Sequence, residues 1–325
     1  MSQHTLAVLD DYQNVSLKMA DWTPITTAGV QITVFDNTIT DTDALVARLR
    51  PFSILCIMRE RTKFPASLLA QLPNLKLLVT TGMRNLGLDV EAAKKLGITV
   101  CGTQSGGNAT SELTWALLLG LAYNIVPNHI RMGSSAPGTK WQDGRIPTGL
   151  NGKTLGLIGL GRLGKSMAII AKAFGMNVIA WSTNMTPEFA AAGGAMFAGS
   201  KEELFKQSDF VSVQVVLSPR SVDLVNEAEL RLMKKTAFLI NTARGPIVNQ
   251  AALVKALKED WIAGAALDVY DTEPLPADNE LRTLSDKVLM TPHMGYVNDY
   301  SYEMYYRETV ECVAKYLEGT PIRLL

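Results

Sequence analysis

Residues 155–164 read LGLIGLGRLG, and the fold is decided there. A short apolar run suited to a buried strand gives way to glycines at 159, 161 and 164, a G-x-G-x-x-G spacing. The spacing alone is common. Here it lies between a strand-like run and a helix-like one at 165–174, the context that a dinucleotide-binding turn requires. Gly159 then permits the tight turn, Gly161 lets the backbone approach a pyrophosphate, and Gly164 allows the helix to pack closely on the strand. Free amides at the helix start are the natural phosphate contacts.

Outward from this turn, strand-like runs alternate with helical spacing in both directions. Downstream, residues 177–181, 210–213, 238–241, 263–268 and 288–290 join 155–159 as six strand candidates, which predicts a doubly wound α/β sheet. Upstream, residues 6–9, 32–35, 54–58, 75–80 and 99–101 read as strands. Helical patterns at 41–50, 65–71 and 90–96 separate them, the last stopped by Gly97. Residues 111–126 predict one long apolar helix, with Thr110 or Ser111 as N-cap and Pro127 near its end. Residues 132–150 read as a connecting loop, and 299–317 as a closing helix that returns to the first domain. The expectation is α/β with two domains. Residues 1–105 and 297–325 form a discontinuous, flavodoxin-like substrate domain; residues 106–296 form a Rossmann NAD(P)-binding domain.

The bulk properties agree with an ordinary globular protein: 325 residues, 47% apolar, 19% charged, formal net charge zero. No basic run points to nucleic acid or to a membrane surface. The polar start lacks the basic and apolar regions of a signal peptide, and no apolar stretch approaches the ~18 residues of a membrane span. Cys56, Cys101 and Cys312 suggest neither a disulfide framework nor a zinc site, so buried thiols in a reduced, cytoplasmic setting are expected and no metal is assigned.

The strand after the glycine turn should end at the residue that reads the adenosine ribose. A carboxylate there bonds the ribose hydroxyls and disfavours a 2′-phosphate. This chain has Ser182, Thr183 and Asn184 instead, with no acid and no nearby cation. NAD and NADP both stay open; the missing cationic grip favours NAD.

Three polar blocks follow later strands: NTARG with Arg244, LDVYDTEP with Glu273, and TPHMG with His293. In an open parallel sheet, ligands bind beyond the carboxyl ends of the strands, so these side chains should reach one rim. Of three histidines, His4 sits at the start and His129 has no polar motif around it; His293 alone stands at a strand end of the cofactor unit. Imidazole suits proton transfer in either direction near neutral pH, and a neighbouring carboxylate favours its charged form. Arg244 can pair bidentately with a substrate carboxylate or polarise its carbonyl. Taken singly, each residue reads as an ordinary surface charge or turn residue. Together, on a dinucleotide-type sheet, they read as catalytic.

With these motifs in order (GLIGLGRLG, SDFVSV, LINTARGPIVNQAAL, AGAALDVYDTEP and TPHMG), the chain resembles the D-isomer-specific 2-hydroxyacid dehydrogenases over nearly its full length. That family includes phosphoglycerate, glycerate and hydroxypyruvate/glyoxylate enzymes. The resemblance implies hydride exchange between NAD(P)H and a small 2-keto or D-2-hydroxy acid. It gives Arg244 the substrate, Glu273 the tuning of His293, and His293 the acid/base role. Arg162 and Leu163 would lie along the pyrophosphate, and Thr242 and Asp268 by the nicotinamide, with Asp268 accepting from the carboxamide. Backbone amides around Gly82, Met83 and Arg84 would hold the substrate carboxylate. A homodimer with contacts at 111–126 is implied, as is a short form without a regulatory domain.

Several positions depart from the family pattern. Ser182 replaces the usual acid; Gln214 and Val216 replace a histidine and a proline; Tyr296 replaces a second glycine after the catalytic histidine. Arg59, Arg61 and Arg84 either meet a second anionic group or form a solvated basic rim. Two other readings compete. A formate dehydrogenase shares the fold but pairs its histidine with glutamine, so Glu273 disfavours it. A cofactor-sensing, corepressor-like scaffold retains the trio but normally carries extra interaction segments, and a flat response to a keto-acid panel would favour it.

Overall fold

The computed structural model describes residues 4–104, 107–134, 141–142 and 144–325. The start before His4, the expected domain boundary at 105 and 106, and parts of the expected loop at 132–150 (135–140 and 143) lie outside the described residues. The chain divides into two compact units, Met1–Gly107 with Val297–Leu325, and Asn108–Tyr296.

The first unit is built on five parallel strands: β1 (Thr5–Val8), β2 (Gln31–Val34), β3 (Ile54–Ile57), β4 (Leu77–Thr80) and β5 (Thr99–Gly102). Their order is β2-β1-β3-β4-β5. The inner strands β3 and β4 are continuous buried runs, ILCI and LLVT, as strands covered on both faces must be. At the edge, β2 alternates exposed and half-buried residues instead. Leu55, Ile57 and Leu78 pack against Phe64, Leu68 and Leu72 to form one core cluster. The helix Asp299–Leu317 belongs to this unit, so its chain is interrupted. The Asn298 side chain caps it by accepting from the Ser301 amide at 2.8 Å. Beyond the helix, the Leu325 amide donates to Val100 O at 3.0 Å and the Gly102 amide to Arg323 O at 2.9 Å, which lays the last residues beside β5.

The second unit carries seven strands rather than the expected six. They are β6 (Thr154–Ile158), β7 (Asn177–Trp181), β8 (Met196–Phe197), β9 (Phe210–Val213), β10 (Phe238–Asn241), β11 (Gly264–Leu267) and β12 (Val288–Met290). All are parallel, in the order β12-β11-β10-β9-β6-β7-β8. The extra strand, β8, is a two-residue edge element too short to show a period. The order reverses between β6 and β9, the switch point at which such sheets bind ligands. Phe210 and Phe238 pair across β9 and β10 with ring centroids 5.4 Å apart, and the Arg145 guanidinium lies 5.1 Å from the Phe238 centroid.

The expected helix over 111–126 is not continuous. A helix spans Ala109–Ala122, the chain turns left-handed at Asn124 (φ 53°), and a second helix runs Ile125–Met132. The apolar run continues across the break and hides it; asparagine is a residue that tolerates this backbone. The cap also differs: Asn108 is the N-cap residue and makes no side-chain cap bond, leaving Thr110 inside the first turn. Trp115, Leu117, Leu118 and Leu121 of this helix pack with Leu155, Leu157, Ile240 and Ala266, covering one face of the sheet. The helices Lys201–Gln207, Glu227–Leu232 and Gln250–Lys258 contribute to the core on the other.

Candidate active site

The glycine turn joins β6 to the helix Arg162–Ala173. Gly159 has φ +97°, and a Cβ there would come within 2.8 Å of Gln214 O and 2.7 Å of a Val215 methyl, just past β9. Only glycine suits such a turn. A Cβ on Gly164 would sit 2.5 Å from Gly159 O, so this glycine lets the helix close on the turn. Gly161 differs from both: its φ is −73°, and a Cβ would meet nothing within 4 Å. Space is therefore left open in front of the first turn of a twelve-residue helix, whose leading amides have no intrahelical partner. That arrangement fits a pyrophosphate. Arg162 and Leu163 are the first two residues of the helix. Ser182 follows β7, half-buried, with Thr183 and Asn184 exposed beside it.

Beyond β10, the Asn241 side chain accepts from the Ala243 amide at 3.0 Å and donates to Arg244 O at 3.0 Å, fixing the turn that carries Arg244. Gly245 follows. A Cβ on it would overlap the Tyr270 carbonyl, so glycine is what lets the loops after β10 and β11 approach. In the second of these loops Glu273 turns back, and its Oε1 accepts from the Tyr270 amide at 2.9 Å. Its Oε2 lies 2.5 Å from Nδ1 of His293, in the loop after β12. The three residues singled out in the sequence thus come from three adjacent strand ends. The side chains of His293 and Glu273 keep 25% and 34% exposure, enough for a small molecule to reach the imidazole.

The electrostatics follow from these contacts. Burial pushes the Glu273 carboxyl up. The hydrogen bond and charge of His293, the Tyr270 amide and the Arg244 charge together outweigh it and hold the group below its ordinary value. Glu273 is therefore an ionised acceptor near neutral pH, Nδ1 carries a proton toward it, and Nε2 is the nitrogen left for chemistry. Asp268, at the end of β11, goes the other way: burial raises its carboxyl despite bonds from Thr291 and the Met294 and Gly295 amides and the charge of His293.

Asp268 also holds the backbone beside His293. Its Oδ1 accepts from the Thr291 hydroxyl at 2.6 Å and the Met294 amide at 2.8 Å, and its Oδ2 from the Gly295 amide at 2.8 Å. The carboxylate clamps the turn around His293, which has φ 49°, a left-handed backbone that costs a non-glycine residue on the order of 1–2 kcal/mol. Tyr296 stands edge-on to the imidazole, ring centroids 5.8 Å apart. The Thr242 hydroxyl meets that of Thr114 at 2.7 Å, a contact with no sequence signal.

Arg59, Gly82, Met83 and Arg84 lie in the first unit, just after β3 and β4. Gly82 has φ +89°, and the Arg59 guanidinium fills the place of a Cβ. The Gly82 amide is already committed to Thr103 Oγ1 at 2.9 Å, so it is not an anion donor, against expectation. Arg61 is also taken: it donates to Asp10 O at 2.6 Å and to the Tyr302 hydroxyl at 3.0 Å, and lies over the Tyr12 ring. These contacts give Arg61 a structural use within the first unit. Met83 and Arg84 are exposed.

Comparison with known proteins places this geometry in context. The family model described as D-isomer specific 2-hydroxyacid dehydrogenase, NAD binding domain, matches residues 115–295. A glyoxylate reductase of Aeropyrum pernix is 41% identical over 244 residues, 71% of this chain and 70% of that one. A D-3-phosphoglycerate dehydrogenase of Methanocaldococcus jannaschii is 36% identical over 255 residues, covering 78% of this chain and 47% of that one. Among solved structures, a phosphoglycerate oxidoreductase from Vibrio cholerae O395 superposes with a TM-score of 0.89 at 34% identity, covering 98% of this chain and 100% of the other.

Proposed function

The chain belongs to the D-isomer specific 2-hydroxyacid dehydrogenase family as an NAD(P)-dependent oxidoreductase, and on that premise we propose that His293, Glu273 and Arg244 interconvert a small 2-keto acid and its D-2-hydroxy acid. The observation that carries this reading is the 2.5 Å contact between His293 Nδ1 and Glu273 Oε2, with Arg244 close enough to lower the carboxyl.

When bound, the nicotinamide supplies the hydride. Arg244 grips the substrate carboxylate and sets the carbonyl toward the imidazole. Glu273 keeps Nδ1 protonated, so that Nε2–H of the imidazolium gives its proton to the carbonyl oxygen in reduction. In oxidation neutral Nε2 takes the hydroxyl proton instead. Gly159, Gly161, Arg162, Leu163 and Gly164 would hold the pyrophosphate, Ser182 would face the ribose, and Thr242 and Asp268 would lie by the nicotinamide. In the first unit, the Met83 and Arg84 amides and the Arg59 guanidinium are the proposed anion-holding groups.

NAD is the favoured cofactor, since Ser182, Thr183 and Asn184 offer no cation for a 2′-phosphate. Fluorescence titration with NADH and NADPH in parallel tests this: tighter NADH binding is expected, and a strong NADPH preference overturns it. Glyoxylate leads the substrate candidates because the Aeropyrum relative is named for it. Turnover of a panel of glyoxylate, hydroxypyruvate, pyruvate, phosphohydroxypyruvate and a branched keto acid is the direct test. Reduction of at least one is expected, and none would leave the reading without a reaction. The formate dehydrogenase and scaffold readings are not favoured, because the relatives are named glyoxylate reductase and D-3-phosphoglycerate dehydrogenase.

A homodimer in the cytoplasm completes the proposal. The helix Ile125–Met132 buries none of its residues, and Tyr123, Ile125, Val126, Ile130 and Met132 are all exposed. A concentration of apolar surface like this marks an association site, and the occupant proposed is a second copy of the chain.

A further inference from the structure

Within the second unit, the loops that carry Arg244 and His293 are joined by hydroxyl groups that no charge or glycine pattern marks. Thr114, fully buried, lies one turn beyond Thr110 in the helix Ala109–Ala122. Its hydroxyl lies 2.6 Å from Thr110 O and 2.7 Å from the Thr242 hydroxyl. A threonine hydroxyl has one proton, and a carbonyl can only accept. The Thr114 proton therefore goes to Thr110 O, and Thr242 must be the donor within the hydroxyl pair. Thr242 stands just ahead of Arg244, so this bond anchors the loop after β10.

The same helix reaches the other loop. The Thr110 hydroxyl donates to Gly295 O at 2.8 Å, just past His293. The path closes on Asp268, which takes the amides of Met294 and Gly295 and the hydroxyl of Thr291. A run of hydrogen bonds thus passes from the end of β10, through two helix residues, to the turn after β12 and the end of β11. Valine is isosteric with threonine and would suit a buried position in an apolar helix at least as well. A hydroxyl bonded back to the preceding turn also slightly weakens a helix. Thr114 is such a residue, and it and the half-buried Thr110 both bond loops that flank the catalytic side chains, a use outside the helix.

We infer that Thr110 and Thr114 are positioning residues that fix the Arg244 and His293 loops in one arrangement. They touch neither substrate nor cofactor in this account; they act through Thr242 and Gly295. The inference rests on the proposed roles of Arg244 and His293. A displacement of about 1 Å of a reacting group costs up to ~100-fold in rate.

The test compares Thr114→Val with Thr114→Ser, and Thr110→Val with Thr110→Ser, using NADH and the faster of glyoxylate and hydroxypyruvate. The readouts are kcat, KM, NADH affinity by fluorescence, and the primary isotope effect with NADH deuterated at the transferred position. Thr114→Val should lower kcat by about 10- to 100-fold and raise the isotope effect, with NADH affinity within about twofold of wild type; serine should restore both. Thr110→Val should move kcat and isotope effect in the same direction and decides the matter if the Thr114 variant does not fold. Unchanged kcat and isotope effect overturn the inference. So does a loss of kcat matched by fewer NADH-binding sites at an unchanged isotope effect, or a serine variant that behaves like valine. His293→Ala measured alongside separates the levels. If it stays active, the underlying catalytic reading falls; if it is inactive while Thr114→Val is normal, only the positioning role falls.

Discussion

At the residue scale, one contact sets the chemistry. Glu273 Oε2 and His293 Nδ1 lie 2.5 Å apart, and the carboxyl is held below its ordinary range, with burial opposing and His293, the Tyr270 amide and Arg244 prevailing. An ionised partner accepts from Nδ1–H, which fixes the ring's orientation and leaves Nε2 for the substrate. Glu273→Gln should therefore lower reductive kcat while leaving NADH affinity nearly intact, and an unchanged kcat contradicts the pairing. Stability carries a second signature. A carboxyl with a lowered folded value contributes fully above its unfolded value, about 4.3, and loses that contribution as pH falls through the folded one. The Tm advantage of wild type over Glu273→Gln should shrink on acidification below about pH 4; a constant difference from pH 7 to 3 counts against it.

At the element scale, the glycine turn offers the sharpest contrast. Gly164 and Gly161 obey the same spacing for different reasons: one meets Gly159 O, the other faces open space. Gly164→Ala should lower Tm and weaken cofactor binding together. Gly161→Ala should leave Tm within about 2 °C while NADH affinity falls at least about tenfold, because the added methyl enters only the space meant for phosphate. Unchanged NADH affinity in Gly161→Ala would refute that use of the space. This turn and the long strands were legible because buried parallel strands are continuous apolar runs bounded by turn residues. β8 was not, since two residues carry no period, and neither was the break at Asn124, where apolar residues continue on both sides. Within the site, charged residues at strand ends stood out. The commitment of Asp268 to the His293 turn, and the bonds of Thr110, Thr114 and Thr242, did not, because hydroxyls and amides paired across distant loops leave no spacing in the chain.

At the scale of the whole molecule, the chain carries a five-stranded unit and a seven-stranded unit, with the first completed only after the second has been traversed. Among the described residues no helix is long and apolar enough to cross a membrane. Cys56, Cys101 and Cys312 are all buried free thiols. The exposed apolar residues of Ile125–Met132 predict a dimer at micromolar concentration in sedimentation equilibrium, and Ile130→Glu should shift it toward monomer. A wild-type chain that stays monomeric would contradict the proposed association.

The proposed acid/base role of His293 is tested most directly by His293→Ala, with keto-acid reduction and NADH affinity measured on the same preparation. A general acid contributes about 10²- to 10⁴-fold. A loss of kcat in that range is expected, with NADH binding within about twofold of wild type. Turnover close to wild type would contradict it.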